Sequence, residues 1–167
     1  MAEYASTHKQ LKVPDDAHVE SERWIAELLE GDKRESTHSI RTQLQDEMWE
    51  RVSVSRDEEG LKHALEKIGS LKARFADAHV KDQSKIFNTE LVEHMELGYL
   101  LDMAEALAVA ARARTESRGG HYREDHQMRE DDHWLKHSFV TRTEDGGTEL
   151  GYMDVTLGRY EPVERKY

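Results

Sequence analysis

The residues best equipped for chemistry lie in one stretch, Glu116-Ser117-Arg118-Gly119-Gly120-His121-Tyr122-Arg123-Glu124-Asp125, which is followed by Asp132-His133-Trp134-Leu135-Lys136-His137. Three chemistries fit these residue types. His121, His126, His133 and His137 beside Asp125, Asp131 and Asp132 have the donors of a metal site, and the i, i+4 pair His133/His137 has zinc-like helical spacing. The glutamate of a zincin pattern is missing, so a solvated loop or an ion-pair network is the plainer reading. Ser117, His121 and Asp125 name a nucleophilic triad, but no nucleophile elbow surrounds Ser117. The third option is structural. Arg118, Arg123 and Arg129 alternate with Glu116, Asp125 and Asp131, which suits planar bidentate pairing, and Gly119-Gly120 supply the turn that lets the loop approach another backbone.

The other chemistries are thinly represented. There are 167 residues and no cysteine, which removes disulfides, thiolate metal sites and cysteine nucleophiles. The ten glycines are scattered and nowhere take the G-x-G-x-x-G spacing, so a dinucleotide fingerprint is missing, and so is a phosphate loop of the Walker type. A net charge of -11 repels phosphate backbones and argues against nucleic acid as a partner. No apolar run nears the roughly 18 residues that span a bilayer. The chain therefore reads as cytoplasmic, without direct membrane insertion.

Helices must position the segment. A leader, residues 1–13, has a short helical piece near Ala2 to His8. After Pro14, Asp15 and Asp16 offer N-cap oxygens to a helix carrying Val19, Trp24, Ile25, Leu28 and Leu29, with Gly31 as its C-cap. A second helix starts at Ser36 or Thr37 and repeats apolar residues at Ile40, Leu44, Met48 and Val52. A third opens on a Ser55–Glu58 capping box and continues through Leu61, Leu65, Ile68, Leu71, Phe75 and Ala78. The longest runs from Asn88 to about Arg114 with Leu91, Met95, Gly98, Leu101 and an alanine tract, small enough there for close backbone approach. Trp24, Trp49 and the methionines 48, 95 and 103 read as core, and His63 and His94 as surface residues. Residues 115–134 show no period. Leu135–Arg142 and Thr148–Val155 alternate as strands around the turn Glu144-Asp145-Gly146-Gly147. The expected fold is mainly α: an antiparallel bundle of three to four helices over 14–114, then 115–167 as a charged loop, a small β-hairpin and an extended C-terminal tail.

Beyond these readings, the chain resembles the C-terminal part of the flavoprotein subunit of succinate dehydrogenase and fumarate reductase. The resemblance rests on an E-S-R-G-A/G-H-x-R-x-D element at Glu116 to Asp125, an acidic run at Arg129-Glu130-Asp131-Asp132, W-L-K-H at Trp134 to His137, and a closing P-x-x-R-x-Y at Pro162, Arg165 and Tyr167. Upstream, Met48-Trp49 with Val52, Arg56 to Leu61 and Phe87-Asn88-Thr89-Glu90-Leu91 resemble family segments, as does Gly151 to Val155. Gln127 and Glu130 depart from the pattern.

The resemblance implies a domain of a longer subunit whose preceding FAD-binding domain holds the dinucleotide fingerprint and the dicarboxylate-binding residues. The leader would fit the last helix of that domain. The parent would interconvert succinate and fumarate with FAD, passing electrons to an iron-sulfur subunit on the cytoplasmic face of the membrane. This piece would be structural, with no cofactor, metal or catalytic residue of its own. Arg118, His121, Arg123, Asp125 and Arg165 are the expected interdomain contacts, and self-association through an exposed apolar patch is expected of the separate chain. Two alternatives stand beside this reading: a freestanding interaction or metal-binding module using residues 121–137, and the equivalent domain of an L-aspartate oxidase.

Overall fold

The computed structural model describes residues 2–9, 12–30, 35–160 and 162–163. Gly31, Arg165 and Tyr167 lie outside the described residues. Among the described residues six helices and four short strands follow in order: α1 (Ala2–Thr7), α2 (Val19–Glu30), α3 (Thr37–Arg51), β1 (Ser55–Arg56), α4 (Glu58–Phe75), α5 (Thr89–Ala113), β2 (Tyr122–Arg123), α6 (Asp131–Trp134), β3 (Lys136–Arg142) and β4 (Thr148–Asp154).

Polar rungs fix the direction of the three core helices. Glu47 meets His63 at 2.8 Å, Gln43 meets Lys67 at 2.9 Å, and Glu35, just before α3, meets Arg74 at 2.9 Å, so α3 and α4 run antiparallel. Glu58 meets Arg112 and Lys72 meets Glu105, both at 2.7 Å, so α5 runs antiparallel to α4. Ile40, Leu44, Leu61, Ala64, Ile68, Leu71, Leu97, Leu101, Ala104, Ala108 and Ala111 fill the space between the helices. This is the expected up-down-up bundle, and the hairpin rests on α5.

Several local expectations change. Helix α2 starts at Val19 because the carbonyls of Pro14 and Asp16 accept from Ala17 and Val19, forming a turn in front of it. The Ser55–Glu58 capping box does not form. Ser55 is in β1, paired in parallel with Tyr122, so Asp57 caps α4 by accepting from the Gly60 amide at 2.6 Å. Trp49 and Met103, read as core, are 78% and 67% exposed. The buried seam of α3 is Thr37, Ile40, Leu44 and Glu47, and Trp49 falls on the opposite side. Gly98 admits a ring where a close backbone was expected: a Cβ there would lie 3.2 Å from Phe75.

His94 is the sharpest correction, being 1% exposed. Its Nδ1 shares a 2.9 Å hydrogen bond with the Thr37 hydroxyl, and its ring stacks on Phe75 at 4.5 Å between centroids. Burial lowers its pKa, His79 lowers it further and Glu90 opposes the shift. The unfolded chain therefore binds the extra proton below about pH 6.5 while the folded chain resists it. Stability should fall as the pH drops from about 6.5 toward the lowered folded value. Urea unfolding between about pH 7 and pH 5 should show that slope, and His94→Gln should flatten it. An unchanged slope in the variant would assign the effect elsewhere.

Candidate docking site

The segment after α5 is built on guanidinium–carboxylate forks, each joining residues two apart. Arg118 holds Glu116 through Nε at 2.7 Å and through its second nitrogen at 3.0 Å. Arg123 holds Asp125 at 2.7 and 2.8 Å. Arg129 engages both oxygens of Asp131. The i, i+2 spacing in sequence is what allows each fork to close within an extended loop.

Two of these forks have one fully buried partner. Arg123 is 0% exposed, and beyond Asp125 it donates to the carbonyls of Arg112 at 2.8 Å and Ala111 at 3.3 Å, the orphan acceptors at the end of α5. Asp125 in turn accepts from the Glu58 amide at 3.0 Å, at the start of α4. The pair thus places a cation on the negative end of α5 and an anion on the positive end of α4, the arrangement both helix dipoles favour. The Arg123 fork, with the Glu58 amide, holds the Asp125 carboxyl well below the usual carboxylate range.

Glu116 is also 0% exposed. It accepts from Arg114 at 2.6 Å, from Arg118 twice and from the Glu130 amide at 2.9 Å. Burial pushes its pKa up, but these donors together hold it below its ordinary value. Arg114 further donates to the Trp134 carbonyl at 2.9 Å and to the Ser138 hydroxyl at 3.1 Å, tying the end of α5 to the hairpin. Asp131 joins the set by accepting from Arg118 at 2.6 Å, and Arg129 reaches the Val163 carbonyl at 2.9 Å, which brings the tail onto the loop.

His121 is wedged between these groups. Its Nε2 lies 3.0 Å from the Arg114 carbonyl and its Nδ1 faces an Arg56 N–H at 2.5 Å, so the network requires the neutral tautomer with the proton on Nε2. Burial lowers its pKa, and Arg56, Arg123 and Arg114 lower it further against the backbone bond. Gly119 makes the turn at φ +59°, while Gly120 needs no positive φ.

Of the expected site residues, Arg118, His121, Arg123 and Asp125 come together in one network. Arg118 and His121 also line an open cleft of about 750 Å³ with Tyr122, Met128, Arg129 and Pro162. The sequence reading missed Arg56, Arg114 and the burial of Glu116. Arg114 and Glu116 flank the same motif, and their i, i+2 spacing was the available signal; nothing local points to Arg56.

No triad forms. The Ser117 hydroxyl donates to the His126 carbonyl at 2.8 Å and accepts from the Arg123 amide at 2.8 Å, far from acting on His121. Among the described residues no group of three or more His, Asp or Glu could hold a metal ion, and none of their helices is long and apolar enough to cross a membrane. His133 pairs with Glu130 at 3.2 Å, while His126 and His137 are exposed. The metal-module reading gains no support.

The described residues thus form a helical domain: a three-helix core closed by a charged loop, with a hairpin laid on its longest helix. Residues 41–167 match the model of the fumarate reductase flavoprotein C-terminal family. The chain belongs to that family. It is 38% identical over 173 residues to the fumarate reductase flavoprotein subunit of Mycobacterium tuberculosis, covering 99% of this chain and 30% of that protein. The 8-methylmenaquinol:fumarate reductase flavoprotein subunit of Wolinella succinogenes is 38% identical over 78% of this chain and 21% of its own length. Among solved structures, a mutant of E. coli quinol fumarate reductase FrdA superposes with a TM-score of 0.88 at 33% identity, covering 97% of this chain and 28% of that one. The adenylylsulfate reductase of Archaeoglobus fulgidus shares the fold alone, at 19% identity and a TM-score of 0.78. This chain thus spans about a third or less of the relatives it matches.

Proposed function

We propose that this chain is the bracing and interface-forming domain of a flavoprotein subunit that interconverts succinate and fumarate with FAD, and that it performs no redox chemistry alone. The observation that carries this reading is the open second face of α5. Its first face, Leu97, Leu101, Ala104, Ala108 and Ala111, is buried in the bundle. On another side Val92, Tyr99, Leu100, Met103 and Leu107 are 44–67% exposed. A helix apolar on both sides belongs inside a larger body. The family, and the roughly 70% of a relative's length that this chain does not span, support reading that body as the remainder of the subunit.

In this reading the FAD sits in the preceding domain. That placement is supported by the cleft, where the Arg118 and Arg129 guanidinium groups are already engaged by carboxylates and a carbonyl and are not available to a pyrophosphate. Arg118 and His121 form the wall that meets the neighbouring domain, Arg123 and Asp125 set that wall from beneath, and Arg165, outside the described residues, is the remaining contact in this reading. Electrons pass to an iron-sulfur subunit, with the assembly on the cytoplasmic face of the membrane. Separated from its subunit, the chain self-associates through α5.

The test places Met103→Asp in the complete subunit. Loss of a central apolar contact of about 2 kcal/mol should weaken domain association roughly 30-fold, read as faster flavin loss, while this chain's own melting temperature, measured at a dilution where it is monomeric, stays unchanged. Unaltered flavin retention would overturn the reading.

A further inference from the structure

The loop leading into α5 carries an unusual exposure. Ile86 and Phe87 are 76% and 96% exposed, and Phe87 adopts φ +53°, the one positive value outside glycine among the described residues. A bulky side chain in that left-handed region is strained, and strain of this kind persists only where its surroundings enforce it.

The surroundings do enforce it. Asn88, 8% exposed, donates through its side-chain amide to the carbonyls of Asp82 at 2.6 Å and Ser84 at 2.9 Å, and its oxygen caps α5 by accepting from the Leu91 amide at 2.8 Å. Glu90 accepts from the amides of Lys81 at 2.9 Å and Asp82 at 2.7 Å. Residues 81–88 are thereby tied to the first turn of α5. The same geometry keeps a helix-start contact open. Phe87 precedes the N-cap and Val92 follows four positions into the helix, the two places that ordinarily close as a hydrophobic staple. Both stay exposed, Val92 at 53%.

We infer that Ile86 and Phe87 form a preorganised anchor that inserts into an apolar pocket of the preceding part of the same subunit. The inference rests on the docking role proposed above and supplies one of its contact points. Three features carry it. An aromatic whose backbone is already fixed in its presented position has no main-chain entropy left to lose on insertion. The anchor adjoins Val92, where the exposed face of α5 begins, so one body covers both. The polar residues beside the tip, Lys81, Asp82, Gln83 and Lys85, are exposed and suit the rim of such a contact.

The test introduces p-benzoylphenylalanine at position 87, and separately at 103, in the complete subunit. Irradiation at 87 should join this domain to a peptide from the preceding part of the same polypeptide. A cross-link only to another polypeptide or to a second copy, or none, overturns the anchor. If 103 still cross-links to the preceding part, the docking role survives that failure; if neither position does, both fall. Phe87→Gly separates the anchor from a purely structural role. It removes the ring and relieves the positive φ, so this chain's melting temperature should not fall, while flavin release from the complete subunit should accelerate at least tenfold. Equal losses in both measurements would also overturn the anchor.

Discussion

Replacing Arg123 with alanine should lower the stability of this chain by about 3 kcal/mol, the lower end expected for breaking a buried ion pair. The side chain is fully buried and its fork holds Asp125 while a third nitrogen holds the last carbonyls of α5. Alanine would strand those carbonyls and release the carboxylate that caps α4 at the Glu58 amide. The loss stays at the lower end because the Asp125 side chain keeps 31% of its exposure and can rehydrate. Arg123→Lys should recover less than half of it, since an ammonium cannot make the parallel fork. Urea denaturation gives the comparison directly. A loss below about 1 kcal/mol would place this pair with ordinary surface ion pairs and remove its bracing role.

The second large effect is expected at Glu116. Glu116→Ala leaves Arg114 and Arg118 facing one another without their shared carboxylate and frees the Glu130 amide. The expected cost is about 2–3 kcal/mol, in the range for charged hydrogen bonds to a buried group. Glu116 also predicts the acid limb of stability. Its folded pKa lies below the unfolded value, so its contribution is present above about pH 4.3 and is lost as the pH falls toward the folded value. Asp125 acts in the same sense, being depressed by Arg123. In Glu116→Ala the denaturation midpoint should depend less steeply on pH below about 4.3. A wild-type acid slope in that variant would contradict the assignment.

The core was legible where one apolar period dominated. The seam of α4 and the Asn88-capped start of α5 follow directly from spacing and cap chemistry, and the hairpin follows from alternation around Gly146, which adopts φ +83°. The alternating arginines and carboxylates also announced their forks. The limits were set by contacts distant in sequence. Ser55 looked like a cap until Tyr122, 67 positions later, claimed its strand. His94 reads as a surface residue when the helix is aligned on Leu91, Met95 and Gly98. The seam that packs is His94, Leu97, Leu101, Ala104, Ala108 and Ala111, at spacings of three and four. Trp49 and Met103 read as core on hydrophobicity alone, yet both lie off the seams that pack in their helices. Arg123 was expected at an interdomain contact, yet its guanidinium reaches back to the end of its own preceding helix.

The central claim is that this domain braces a flavin enzyme without doing its chemistry. The direct measurement is flavin content and succinate–fumarate turnover of three preparations: this chain alone, the remainder of the subunit alone, and the two mixed. The account predicts neither flavin nor turnover for this chain, poor flavin retention by the remainder, and recovery of both in an equimolar mixture. Flavin bound by this chain alone, or full retention and turnover by the remainder without it, would contradict the account.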